Sequence, residues 1–117
     1  MLTAPTSLPV ASPQPSTLPQ IIGEVTAGAA VAIARALREF QTDGLSFEAE
    51  MHVGDLIARL FELRLCAGQI DFYAVARAGG ARLLQDRYGR DINARTIAVL
   101  IDAVIEVLRQ VVRAELN

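Results

Sequence analysis

Apolar residues recur from position 19 onward at intervals of three and four, which is the spacing of one face of an α-helix. These intervals predict a first helix over roughly 19–41, a second that begins after Ser46 and ends near residue 67, a third from Phe72 to Tyr88 and a last over 94–115. No segment shows the sustained alternation of a β-strand. The pattern therefore predicts an all-α fold, a bundle of four to five helices.

Capping residues and glycines mark the predicted helix boundaries. Ser46, Asp71 and Asn93 each precede an apolar periodic run and carry a side-chain oxygen that can accept a hydrogen bond from a free backbone N–H of the first turn. Gly68 and Gly89 follow the second and third runs, where glycine commonly ends a helix.

Small residues in the third and first predicted helices affect how these helices can pack. Gly79 and Gly80 fall in the middle of the third helix, where two glycines cost about 2 kcal/mol relative to alanine. The pair predicts either a break into two short helices or the close approach of another backbone, and we favour the break. In the first helix, Gly28, Ala32 and Ala36 form a stripe that allows another helix to come close.

The segment 1–18 differs from the helical domain predicted over 19–117. The first twenty residues contain five prolines, several Ser and Thr and no charged side chain. Because proline fixes φ and lacks an N–H, the segment is predicted to be an extended arm. The arm either remains a flexible leader, which we favour, or becomes ordered on a neighbouring protein that receives its apolar side chains, Leu2, Leu8, Val10 and Leu18. Its composition also resembles that of the leaders of type III secretion substrates.

The last helix is apolar around most of its circumference. Its polar residues share one narrow stripe, so the rest of its surface must be buried. Only about three other helices can surround it, so this helix is either central to the bundle or meets another subunit. The candidate residues for an oligomer interface are Ile97, Ile101, Val104, Leu108 and Val111.

Composition excludes several function classes. The 117 residues suffice for one domain, and their net charge of −2 disfavours binding to polyanions by charge alone. All eleven basic residues are arginines, which excludes enzymes that depend on a lysine. The single cysteine, Cys66, allows no intramolecular disulfide. The longest uncharged run after the first twenty residues, Val25 to Ala34, is shorter than the ~20 residues of a membrane span, so no membrane association is expected.

No residue pattern indicates catalysis, a metal or a cofactor. His52 and Cys66 are the only histidine and cysteine, and their separation along a continuous helix would be about 21 Å. The glycine-rich patterns of phosphate-binding loops are missing. We therefore expect a protein that is not an enzyme and holds no metal or cofactor.

One stretch resembles the helix-turn-helix of TetR-type regulators, in which an alanine is followed four residues later by a glycine in the turn. Ala76 and Gly80 take these two places, and the resemblance covers about 20 of the 117 residues. It implies a DNA-binding regulator that uses residues 71–89, with phosphate contacts from Arg77, Arg82, Arg87 and Arg90.

The stretch departs from that family in two ways. Ala81, Leu83 and Leu84 stand where Ser, Thr or Lys normally meet base edges and phosphates. In addition, some thirty residues separate the motif from the first helix, which is too many for that family. We therefore favour a non-catalytic structural or protein-interaction subunit that self-associates or packs into a larger assembly. The analogy is with the subunits of phage or secretion particles. DNA binding is the alternative. The expected location is the cytoplasm, or an exported or virion-like particle.

Overall fold

A computed structural model describes residues 17–42, 44, 46–68 and 70–116 of the chain. Within these ranges the chain forms four helices and no strand: α1 (Leu18–Thr42), α2 (Phe47–Cys66), α3 (Phe72–Tyr88) and α4 (Ala94–Leu116). The all-α prediction is confirmed, with four helices. The predicted arm lies outside the described residues except for its last two, Thr17 and Leu18.

Side-chain caps begin the helices at the predicted positions. Ser46, Asp71 and Asn93 each accept a hydrogen bond from the backbone N–H three residues ahead, over 3.1, 3.3 and 2.8 Å. The cap of α1, which was not predicted, is a reciprocal pair. The Thr17 hydroxyl accepts from the Gln20 N–H at 3.3 Å, and the Gln20 Oε1 accepts from the Thr17 N–H at 3.1 Å.

Helix α1 is the centre of the bundle and packs against all three other helices. Ile22, Ala29 and Ala30 of α1 are completely buried. The segment Leu18–Arg38 also has the length and apolar composition of a membrane-crossing helix, but half of its apolar stretch is buried inside the bundle. This central position accounts for its apolar composition.

Helix α3 continues without interruption through its two glycines, so the predicted break is wrong and the alternative, a close approach of another backbone, is correct. A Cβ built on Gly79 would lie 3.1 Å from the Cα of Gly23 in α1. The predicted small-residue stripe of α1 does not supply this contact, because a Cβ on Gly28 would meet nothing within 4 Å.

Candidate functional site

An open groove of about 590 Å³ lies between α1, α2 and α4. Nine of its ten lining residues are apolar side chains or glycine, and Glu50 is the only charged one. The lining residues are Ile33, Ala36, Leu37, Glu50, Val53, Gly54, Ile57, Ala58, Val107 and Val111. A concave surface of this kind is typical of a site that receives an apolar group.

The groove stays open because α2 presents small residues there. Ile57 and Leu60 bury α2 in the core of the bundle. Gly54 and Ala58 lie next to this buried face and line the groove, but Gly54 has no side chain and Ala58 has only a methyl group. At these two positions, therefore, α2 leaves the space between α1 and α4 open.

Large apolar side chains are exposed in and beside this groove. The exposed fractions are 56% for Leu37, 37% for Val107, 73% for Phe47, 50% for Met51 and 64% for Leu65. Leu37 and Val107 line the groove itself, and the other three lie along α2.

The exposed residues of α2 share one face. At about 100° of rotation per residue, six positions fall within roughly 40° of a common line along the helix. We call these six residues the α2 stripe: Phe47, Met51, Gly54, Ala58, Phe61 and Leu65. Phe61 is partly buried and the other five are exposed. The stripe meets the groove at its centre, because Gly54 and Ala58 belong to both.

Four of the five residues of α4 that were predicted to form an oligomer interface lie in the core of the bundle and not on its surface. Ile97, Ile101, Val104 and Leu108 are buried in the core of the single chain, and Val111 is partly buried at the groove. A second chain cannot reach the first four without opening the bundle. Among the side chains of α4 that the structure describes, the large apolar ones that are exposed are Val99 and Val107.

The turn required by the resemblance to a helix-turn-helix is absent. Ala76 and Gly80 lie one turn apart within the unbroken helix α3, and both are buried against its neighbours. A Cβ on Gly80 would lie 2.8 Å from the Thr26 Cγ2 and 2.9 Å from the Ile101 Cδ1. Gly80 therefore allows three helices to meet and does not form a turn.

The arginines proposed to contact DNA do not share a surface. Arg77, Arg82 and Arg87 follow one another at five-residue intervals, and each step rotates about 140° around the helix. Arg77 forms an exposed ion pair with Asp102 at 3.3 Å. Arg82 lies beside the first turns of α1, and Arg87 lies in a separate concavity with Arg35, His52 and Tyr88.

Arg90 follows α3 in the turn before α4, and it is exposed close to Asp86 and Asp91.

The side chains considered for catalysis or metal binding are also far from one another. His52 and Cys66 are both exposed on α2, about 21 Å apart along its axis. Among the described residues no three His, Cys, Asp or Glu side chains lie close enough to hold a metal ion.

Comparison with known proteins identifies no family: no family model, no curated protein and no solved structure matches the chain. Function is therefore inferred from the geometry of the groove and the α2 stripe.

Proposed function

We propose that the protein is a non-catalytic structural subunit that binds protein through the groove and the adjoining α2 stripe, and that it self-associates or joins a larger assembly in this way. The observation that carries the proposal is that Leu37, Phe47, Met51, Leu65 and Val107 are exposed in and beside one nearly uncharged groove.

The free energy gained when these apolar side chains are removed from water supports protein binding at this surface. An apolar side chain contributes roughly 25 cal/mol for each Å² that is removed from water. The five side chains together expose roughly 500 Å², since a large side chain carries about 150–200 Å², and this area is spread over the groove and the α2 stripe. Covering this surface with protein therefore provides a driving force for association.

The scarcity of charge supports the same function. The buried centres of protein interfaces are depleted in charged residues, because a charge without a partner is costly to dehydrate. Glu50 is the only charged residue of the groove, and it lies in the first turn of α2, where its carboxylate faces the positive end of the helix dipole. No specific observation favours DNA binding.

The proposal is tested by absolute mass, measured by light scattering during size exclusion over a hundredfold range of concentration. We expect the mass of the full chain to rise above that of a monomer as concentration increases. Val107→Asp places a charge in the groove and should shift the chain toward monomer. Ala98→Asp places the same charge on an exposed position of α4 outside the groove and should leave the mass unchanged.

Circular dichroism on each variant confirms that its helices are intact. A wild-type chain that stays monomeric at every concentration would contradict self-association. A Val107→Asp variant that associates as strongly as Ala98→Asp would show that the groove is not the interface.

A further inference from the structure

We propose that the partner at this surface is a second copy of the chain, and that two copies pair through antiparallel α2 helices with Phe47 of each beside the partner's Leu65. The inference rests on the proposed function and goes further by naming the partner and the register. Three observations carry it: the order of residue sizes in the stripe, the placement of charge along α2, and the exposed area.

The order of sizes in the α2 stripe is symmetric about its centre. Reversing the helix about position 56 exchanges 47 with 65, 51 with 61, and 54 with 58. The outer pairs are large, Phe with Leu and Met with Phe, and the central pair is small, Gly with Ala. A two-fold axis across an antiparallel pair places each position beside its mirror position, so large side chains meet large ones and small residues meet small ones.

The small centre determines how closely the two helices can approach. Gly54 and Ala58 allow the helix axes to come together at the two-fold axis, as small residues do in other closely packed helix pairs. The large residues then lie at both ends, where Phe47 and Leu65 can reach beyond the helix pair. The open groove lies beside Gly54 and Ala58, where the partner presents its own Gly54 and Ala58, so the large side chains of the partner flank the groove.

The charges along α2 favour the antiparallel direction. The first turn carries Glu48 and Glu50, and the last turn carries Arg64. A parallel pair would place the acidic ends together and align the two helix dipoles. In the antiparallel pair, Glu50 approaches the partner's Arg64 on one side of the stripe, whereas on the other side Asp55 lies as close to the partner's Asp55 as to the partner's Arg59. The net attraction therefore comes from Glu50 and Arg64, and it occurs twice because a two-fold interface repeats every contact.

The exposed area is appropriate for a reversible dimer. The three large exposed side chains of the stripe, Phe47, Met51 and Leu65, contribute roughly 330 Å² per copy, so the pair buries on the order of 700 Å² of apolar surface, which is typical of a weak, transient interface. Dissociation on dilution is therefore expected.

Disulfide cross-linking in the full chain tests the register. In a Cys66→Ser background, Phe47→Cys and Leu65→Cys are combined in one chain, and the protein is oxidised mildly. The two positions are 18 residues, about 27 Å, apart on one helix, so no disulfide can form within a chain. We expect a covalent dimer that reducing agent converts back to monomer. Met51→Cys with Phe61→Cys, which keeps Phe47 and Leu65, should give the same dimer.

Three controls define the arrangement. Phe47→Cys alone and Leu65→Cys alone should give no covalent dimer, because antiparallel pairing keeps identical positions far apart. Phe47→Cys combined with Phe61→Cys is out of register by about one turn and should cross-link poorly. Cross-linking by the single variants as strong as by the double variant would indicate a parallel pair and overturn the inference.

The outcomes also separate this inference from the proposed function. If neither in-register pair cross-links while the wild-type chain associates and Val107→Asp dissociates it, the antiparallel pairing is wrong and the groove remains a binding surface. If the wild-type chain is monomeric at every concentration, self-association itself is wrong.

Discussion

Gly23 of α1 and Gly79 of α3 meet backbone to backbone, since a Cβ built on Gly23 would lie 3.2 Å from the Cα of Gly79. The most extensive packing in the bundle is between these two helices. The contact explains why α3 tolerates a glycine that lowers its intrinsic helix stability. A side chain at either position would push the two backbones apart.

Two substitutions in α1 test this close approach. Gly23→Ala places a Cβ 3.2 Å from the backbone of Gly79, which has to give way by a few tenths of an ångström, so we expect the free energy of unfolding to fall by about 1 kcal/mol despite the gain in helix propensity. The Cβ added by Gly28→Ala meets nothing within 4 Å, so this substitution should raise the free energy of unfolding by about 0.5–1 kcal/mol. Urea denaturation of both variants gives the comparison, and equal stabilisation by the two would refute the backbone contact.

Gly80 marks the meeting point of three helices. A Cβ there overlaps the Thr26 Cγ2 and the Ile101 Cδ1, so Gly80→Ala should destabilise the fold by roughly 1–3 kcal/mol through overpacking. The triple variant Gly80→Ala, Thr26→Ser and Ile101→Val lacks those two atoms, so it should recover part of the free energy of unfolding that Gly80→Ala loses. Thr26→Ser keeps the hydroxyl that donates to the Ile22 carbonyl at 2.7 Å. Purely additive losses in denaturant titrations would argue against direct contact.

The boundaries of the fold could be predicted from the sequence because their causes are local. Ser46, Asp71 and Asn93 act on N–H groups three residues away, so a short stretch contains all the information. The pair formed by Thr17 and Gln20 has the same local signature and could have been found. The break at Gly79 was predicted wrongly because its outcome depends on Gly23 in α1, which is 56 residues away in the sequence.

Tyr73 links three helices through its ring. The Arg109 guanidinium of α4 lies 4.9 Å from the ring centroid and that of Arg64 in α2 lies 5.6 Å from it. Each such contact is worth about 0.5–1 kcal/mol at an exposed site. Tyr73→Leu should therefore lower the free energy of unfolding by about 1–2 kcal/mol, as measured by thermal or urea denaturation.

Tyr73→Phe is the matched control because it keeps the ring and removes only the hydroxyl. Its stability should stay within about 0.5 kcal/mol of the wild-type value. A loss as large as that of Tyr73→Leu would assign the stabilisation to the hydroxyl.

The candidate site was harder to predict because it depends on which apolar residues remain uncovered. The pattern of α4 correctly indicated a wide apolar face, but periodicity alone cannot separate the part that meets α1 from the part that stays open. Val104 and Val107 look equivalent in the sequence, and only Val107 lines the groove. In α2, the spacing of Phe47, Met51, Phe61 and Leu65 was a visible signal that the sequence analysis did not use.

Val104 and Val107 therefore give opposite predictions for the same substitution. Val104 is completely buried, so Val104→Asp places a carboxylate without a partner in the core. We expect a loss of more than about 3 kcal/mol, which is a large part of the stability of a typical domain. Val107→Asp should cost less than about 1 kcal/mol, since that side chain is already exposed.

Circular dichroism and light scattering together distinguish the two roles. Val104→Asp should lose helical signal and cooperative unfolding, whereas Val107→Asp should keep both and lose only the mass of the oligomer. A folded, monomeric Val104→Asp variant would mean that the residue faces another subunit and that α4 is displaced from the core. Unfolding by both variants would mean that the groove is closed in the native bundle, and the surface proposed for pairing would not exist.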